Sequence, residues 1–271
     1  MPELPEVTIT AENLSKQILN SEILEVKIHS GRYLRHGPPE GLDQFLLQLP
    51  VYVRTVSNKG KFILIGASNP FGTWYIWNTL GMSGSWKGEK SKHSHIEFVT
   101  SKGSFFFEDM RNFGTLKFTN SFKETERKLS SIGPDHLNSV ITDSDFKNRL
   151  MKKPGLNITK SLMNQSIISG VGNYIKAEAL YKCKISPFRK IESLSDSDFS
   201  NLNRMIKEIV VASYLSGGAS ISTYSTIDNK KGKFTFSLDV YGKKKCPAGF
   251  DVLRQTTEDG RTTHWVPEIQ V

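Results

Sequence analysis

Two neighbouring runs, KFILIGA (residues 61–67) and TWYIWNTL (residues 73–80), decide the fold. Both are dense in β-branched and aromatic residues and too short for stable helices, and Ser, Asn, Pro and Gly fill the gap between them. Working outward, the same texture recurs in ILEVKIHSGRY (23–33), SHIEFVT (94–100), GSFFFEDM (103–110) and GTLKFTN (114–120). Short strands separated by Gly, Ser, Asn and Lys read as a sandwich or barrel over about residues 22–118.

Helical periodicity flanks this β region. Val7, Ala11, Leu14 and Ile18 recur at helical spacing, which predicts a helix over 5–19 with Glu3 and Glu6 near its start. Further helices are expected over 143–152, 158–167, 173–184 and 195–215, the last with Ser and Asp at its start and Gly217–Gly218 just past its end. SIGPDHL (131–137) reads as a linker, because Gly-Pro continues neither helix nor strand. The tail returns to short strands, in KKGKFTFSLDVYGKKK and DGRTTHWVPEI. The expected class is α+β, with a β-sandwich domain over 1–130, a linker over 131–137, a helical domain over 138–218 and a loop with a hairpin finger over 219–271.

The 271 residues carry 36 Lys and Arg against 27 Asp and Glu, so the formal net charge of +9 favours a polyanionic partner. Nucleic acid is the first expectation and an anionic membrane surface the second. Cys183 and Cys246 are the only cysteines and form no CxxC pair. A four-thiolate zinc site is therefore excluded, and reduced, intracellular surroundings (nucleus or cytoplasm) are expected. No secretion signal and no membrane-spanning run is recognised.

MPELPEV (1–7) raises a chemical question of its own. Removal of Met1 would leave Pro2 with a free secondary amine, and an α-amino group near pKa 8 keeps a useful neutral fraction at pH 7. Such an amine attacks a sugar C1′ or condenses with an aldehyde to an iminium ion, and the carboxylate of Glu3 beside it could move protons. Taken alone, Pro2 and Pro5 read more simply as shaping the entry into the first helix.

MPELPEV, KGKF, LGMSG, MRNFG and SGVGNYIKAEAL occur in this order, and together they resemble the formamidopyrimidine-DNA glycosylase/endonuclease VIII family of DNA repair enzymes over essentially the whole chain. The resemblance implies a two-layered antiparallel sandwich behind the N-terminal helix, a helix–two-turn–helix, and a bifunctional DNA glycosylase/AP lyase acting in base excision repair on oxidised bases. By the same resemblance Pro2 is the nucleophile that forms a Schiff base, Glu3 the acid/base, and Lys61 a strand lysine near the sugar and its phosphate, with Lys59 as its nearby competitor. Glu6 matches a lesion-pocket residue, although a carboxylate at a helix start also interacts well with the helix dipole. Asn173 matches a phosphate clamp at a helix N-terminus, Lys160 an added phosphate contact, and Met82, Arg111 and Phe113 the residues that fill the gap left by an extruded nucleotide.

The family's usual four-cysteine zinc finger is absent: Cys246 and His264 supply at most two ligands. The tail resembles the zincless finger of one branch, with Arg261 as its phosphate-reaching arginine, and no metal or organic cofactor is expected. Residues 222–242 match the lesion-capping loop in position while diverging in sequence. The expected partner is double-stranded DNA containing oxidised bases or abasic sites, bound by a monomer with no membrane involved. The alternative is a catalytically inactive relative that binds damaged DNA.

Overall fold

The computed structural model describes residues 2–219 and 238–271. They form two compact units, one of residues 2–130 with 217–219 and one of 131–216 with 238–271.

The N-terminal unit opens with α1 (Leu4–Ile18), whose Val7, Ala11, Leu14 and Ile18 are all buried, as the periodicity requires. There follow β1 (Glu22–Ile28), two short helices α2 (Arg32–Arg35) and α3 (Leu42–Leu46), and the strands β2 (Val51–Lys59), β3 (Phe62–Asn69), β4 (Gly72–Thr79), β5 (Gly84–Lys87), β6 (Ser94–Thr100), β7 (Gly103–Asp109) and β8 (Thr115–Thr119). The two runs that opened the sequence reading are the β3–β4 hairpin, paired from Phe62↔Thr79 to Asn69↔Gly72.

All eight strands belong to one antiparallel sheet in the order β5-β7-β6-β1-β2-β3-β4-β8. The expected two layers come from this single sheet folding on itself. At the junction of its halves, β1 and β2 share only Glu22↔Tyr52 and Ile23↔Val51, and bulges interrupt both strands nearby. Bulges bend and twist a strand locally, which is what a fold-over needs. Phe98 of β6 and Phe118 of β8, five strands apart in the sheet, consequently lie 6.2 Å apart between ring centroids. Trp86 of β5 packs on Phe98 and donates its indole N–H to Asn78 Oδ1 of β4 at 3.1 Å. Burial of each such ring contributes about 1.5–3 kcal/mol, so this aromatic core holds the two layers together.

A helix that the sequence reading did not foresee, α4 (Phe122–Ser131), follows β8. Among its residues only Thr125 is buried, so it lacks the apolar stripe that reveals helices in sequence.

In the C-terminal unit, residues 132–137 are irregular, as Gly-Pro dictates, and are packed rather than loose: Gly133 N–H donates to Gln165 O at 2.9 Å and Ser169 N–H to Pro134 O at 2.8 Å. The helices are α5 (Asp143–Leu150), α6 (Ile158–Leu162), α7 (Asn173–Lys182) and α8 (Asp196–Leu215). α6 stops five residues short of the expected 167 because Asn164 Oδ1 accepts from the backbone N–H and the hydroxyl of Ser166, an Asx turn that competes with helix continuation. The last two strands, β9 (Leu253–Thr256) and β10 (Thr262–Trp265), pair as a hairpin; β10 falls in the expected run DGRTTHWVPEI, whereas β9 lies outside both runs from which a hairpin was expected. Half of the other expected tail run, 230–237, lies outside the described residues, as does most of 222–242; its described half, 238–245, is turns and bends with one isolated bridge at Lys245 rather than the expected strand, its N–H groups at 239–241 being taken by the Glu178 carboxylate. Among the described residues no helix is long and apolar enough to cross a membrane.

His136 gives this unit a pH dependence. It is 5% exposed, shares a 2.9 Å hydrogen bond with Asn203 Oδ1, and has its Nδ1 buried without a partner. Burial pushes its pKa down, against smaller opposing effects of Asn203 and Asp135. With the folded pKa below the unfolded value of about 6.5, its stabilising contribution is complete above that pH and is lost as pH falls toward the folded value, at up to about 1.4 kcal/mol per pH unit. Thermal melts at pH 7.5 and 5.5 are expected to show a larger acid loss for the parent than for His136→Gln; equal losses would exclude His136 as the source.

Candidate functional site

The first turn of α1 is built to hold the chain start in place. Leu4 and Pro5 occupy the first helical positions, where the missing N–H of proline has no helical partner to lose. Glu3 is the extended N-cap, and its N–H donates to Glu6 Oε2 at 2.8 Å, one arm of a capping box. Residues 2–10 are all buried, with Glu3 2% and Glu6 0% exposed. The other oxygen of Glu6 accepts the N–H of Ala219 at 2.9 Å. Glu6 thus fixes two main-chain segments, a positioning role that the pattern of carboxylates near a helix start only half suggests.

Lys61 lies in the two-residue turn Gly60–Lys61 between β2 and β3, closed by the pair Lys59↔Phe62, rather than on a strand as expected. Gly60 takes φ +54°, a left-handed conformation that favours glycine in such a turn. Asn58 Nδ2 donates to Gly60 O at 3.1 Å and to Thr8 Oγ1 of α1 at 3.0 Å, so the turn is tied to the helix that follows Pro2 and Glu3. The competing Lys59 instead donates to Leu129 O at 2.8 Å.

Met82, Arg111 and Phe113 are brought together by two tight loops. A Cβ on Gly81 would stand 2.7 Å from the backbone of Phe113, so only glycine lets the β4–β5 loop touch the β7–β8 loop. Ser83 Oγ donates to Asp109 Oδ1 and accepts Arg111 N–H at 3.0 Å, while Asp109 Oδ2 accepts Gly114 N–H at 2.6 Å. Asp109, 1% exposed, is the hub of both loops. The sequence reading passed over it, although an Asp shortly before Arg-Asn-Phe-Gly is a recognisable turn signal. The Arg111 guanidinium lies 5.3 Å from the centroid of the Phe113 ring, and Phe113 is 52% exposed.

In the C-terminal unit, Asn173 is the first residue of α7, where free helical N–H groups favour an anion. Its Nδ2 donates to Thr262 O of β10 at 2.9 Å, which ties α7 to the hairpin. The hairpin turn is fixed by a pair that the sequence reading missed: Lys176 Nζ meets Asp259 Oδ2 at 2.6 Å, with side chains 0% and 3% exposed. Asp259 Oδ1 accepts the hydroxyl of Thr257 at 2.6 Å, and Arg261 follows two residues later, exposed. Burial works against ionisation of Asp259, but the hydrogen bonds from Lys176 and Thr257 outweigh it and hold the carboxyl below the usual carboxylate range. Lys160 is exposed on α6, and no hydrogen bond or ion pair joins it to Asn173 or Arg261. Among the described residues no group of three or more His, Cys, Asp or Glu could hold a metal ion.

A buried pair broken on one side costs about 3–5 kcal/mol, because the remaining charge is left uncompensated. Lys176→Met is expected to lower the urea midpoint accordingly, and Lys176→Met with Asp259→Asn to recover part of the loss. A single variant as stable as the parent would remove the pair from the account of the hairpin.

Comparison with known proteins places this geometry. The profile of the formamidopyrimidine-DNA glycosylase N-terminal domain matches residues 1–116, and that of its H2TH domain residues 132–225. Formamidopyrimidine-DNA glycosylases of Listeria monocytogenes serotype 4b and of Ruthia magnifica subsp. Calyptogena magnifica are 30% and 31% identical to the chain, each covered over its full length, as is the chain. Among solved structures, the MutM (Fpg) protein of Thermus thermophilus superposes with a TM-score of 0.84 at 27% identity, covering 99% of this chain and 98% of its own. A point mutant of Lactococcus lactis Fpg, solved with Fapy-dG-containing DNA, gives a TM-score of 0.86 at 27% identity, covering 99% of both chains. With the α+β fold, the buried proline–glutamate start and these matches over its whole length, the chain is a DNA glycosylase of base excision repair and belongs to the formamidopyrimidine-DNA glycosylase family.

Proposed function

We propose that this chain is a bifunctional DNA glycosylase/AP lyase that excises oxidised bases from duplex DNA through a Schiff base on Pro2 and then nicks the strand by β,δ-elimination. The observation that carries the reading is the burial of Pro2 and Glu3 at the head of α1, the helix whose Thr8 accepts from the same Asn58 amide that holds the Lys61 turn. Once Met1 is removed, the Pro2 nitrogen lone pair attacks C1′ of an extruded nucleotide and the C1′–N bond to the damaged base breaks, the base leaving with a proton. Glu3 gives a proton to the ring oxygen, so the deoxyribose opens to an iminium ion. Loss of a C2′ proton then expels the 3′ phosphate, and a second elimination expels the 5′ phosphate; water hydrolyses the iminium and returns the amine. The Lys61 ammonium offsets negative charge at the sugar phosphate.

Asn173, Arg261 and Lys160 hold backbone phosphates, and Met82, Arg111 and Phe113 fill the vacated stack, offsetting an unstacking cost of about a few kcal/mol. Glu6, with both oxygens on main-chain N–H groups, supports the lesion pocket by fixing its wall. The finger is zincless, its turn held by Lys176 and Asp259. Relatives support the substrate class: Lactococcus lactis Fpg has been solved with DNA containing Fapy-dG, an abasic site and an oxidised pyrimidine. Borohydride reduction during reaction with a panel of lesion duplexes tests the reading. A covalent complex is expected on lesion DNA and none on undamaged duplex; a protein that binds lesion DNA without ever being trapped would be an inactive relative.

A further inference from the structure

α4 buries only Thr125, so no apolar stripe fixes where it lies. It has instead one face of specific contacts, on which Phe122, Thr125 and Leu129 recur at helical spacing with Lys128 beside them. Phe122 packs on Tyr75 of β4 with ring centroids 6.3 Å apart, and Thr125 Oγ1 accepts the indole N–H of Trp77, two residues further along β4, at 3.2 Å. In the last turn of α4, Lys128 Nζ stands 5.5 Å from the centroid of the Phe62 ring, and Leu129 O accepts from Lys59 Nζ at 2.8 Å. Phe62 in turn meets Trp77 edge-on, with centroids 5.7 Å apart. The helix therefore follows β4 toward the Gly60–Lys61 turn and ends on Lys59↔Phe62, the pair that closes it.

The last four carbonyls of a helix lack a helical donor, and the C-terminal end of its dipole attracts a cation. Leu129 O is one of those carbonyls, so the Lys59 ammonium suits it on both counts. Asn58 holds Gly60 O and Thr8 of α1, so the two-residue turn is gripped by two helices at once. Lysine carries its charge on a flexible four-carbon stem, and where the Lys61 ammonium can act depends on how firmly its backbone is held. Misplacing a working group by about 1 Å can cost about 10²-fold in rate. We infer that Lys59 is a positioning residue for base excision: its bond to Leu129 O anchors the Lys61 turn to α4, and it acts through Lys61 rather than by a DNA contact of its own. This rests on the reading of Lys61 as the cation at the sugar phosphate and adds to it the element that holds that cation in place.

The test is a double-mutant cycle of Lys59→Met and Lys61→Ala in the whole protein. It is read by single-turnover excision at saturating protein, by affinity for an abasic-analogue duplex across salt, and by thermal melts. Lys59→Met alone is expected to slow excision about 10- to 30-fold and to leave affinity and its salt slope unchanged, since an anchor is lost and no phosphate contact. In the Lys61→Ala background the same substitution is expected to change the rate less than about 2-fold, because residues that act as a unit are not additive. Lys59→Arg, whose guanidinium can donate to the same carbonyl, is expected to recover most of the rate. A parent-like rate in Lys59→Met overturns the inference, and with a lowered melting temperature it leaves a merely structural bond. Losses that multiply across the cycle also overturn it, because Lys59 then acts on its own. So does a weaker affinity with a shallower salt slope, which makes Lys59 a phosphate contact. Parent-rate excision by Lys61→Ala overturns the Lys61 reading and the inference with it, and that single variant distinguishes this failure from the others.

Discussion

An N-terminal extension that keeps the nitrogen of Pro2 inside a peptide bond is expected to abolish both the borohydride-trapped complex and base excision. An amide nitrogen delocalises its lone pair into the carbonyl and cannot attack C1′. The loss should be on the order of 10³-fold or more, the scale seen when a covalent nucleophile is removed. Pro2→Gly is a milder form of the same experiment, because its free primary amine still condenses with an aldehyde; a weaker trap is expected, not a normal one. Lesion-DNA binding and the circular dichroism spectrum serve as controls, since Pro2 is buried and an extension must be shown not to disturb α1. Full activity in the blocked protein would place the nucleophile elsewhere.

Glu3→Gln is expected to reduce excision by about 10²–10⁴-fold, the range for loss of a positioned acid or base, while DNA binding persists. The substitution leaves the main-chain bond from residue 3 to Glu6 Oε2 available, so the helix start survives and the loss is chemical. Glu6→Gln makes the contrast. Both Glu6 oxygens accept main-chain N–H groups, and an amide can accept at only one of those positions. Its cost is expected in stability, about 1–3 kcal/mol for an unsatisfied buried group. A Glu3→Gln protein that excises at the parent rate would remove Glu3 from the proton transfers.

The sequence announced those parts of the molecule that rest on local periodicity. β3 and β4 follow from their alternating β-branched and aromatic residues, and α1, α5, α7 and α8 from apolar spacing and caps. α4 was illegible because it buries almost nothing, and α6 was overestimated because one Asn side chain outcompetes the helical ladder. The fold-over of the sheet depends on bulges and on the meeting of Phe98 with Phe118, which no local pattern encodes. The site divides in the same way. Motifs singled out Pro2, Glu3, Lys61, Met82, Arg111 and Phe113, whereas the bonds that position them were not legible in the sequence. The ion pair that sets the hairpin turn joins residues 83 apart, and Asn112 accepts the N–H of Arg32 across 80 positions.

The described residues on either side of 220–237 are held chiefly through main-chain groups, with one side-chain ion pair between Lys182 and Asp239. Ala219 N–H goes to Glu6, and the N–H groups of Asp239, Val240 and Tyr241 go to the Glu178 carboxylate at 2.7–3.0 Å. Main-chain bonds of this kind depend little on side-chain identity, so they set few demands on the sequence between the two anchors. Replacing residues 220–237 by the corresponding stretch of a relative is therefore expected to leave the bonds of Ala219 to Glu6 and of Asp239, Val240 and Tyr241 to Glu178 intact, which an unchanged thermal melt would check.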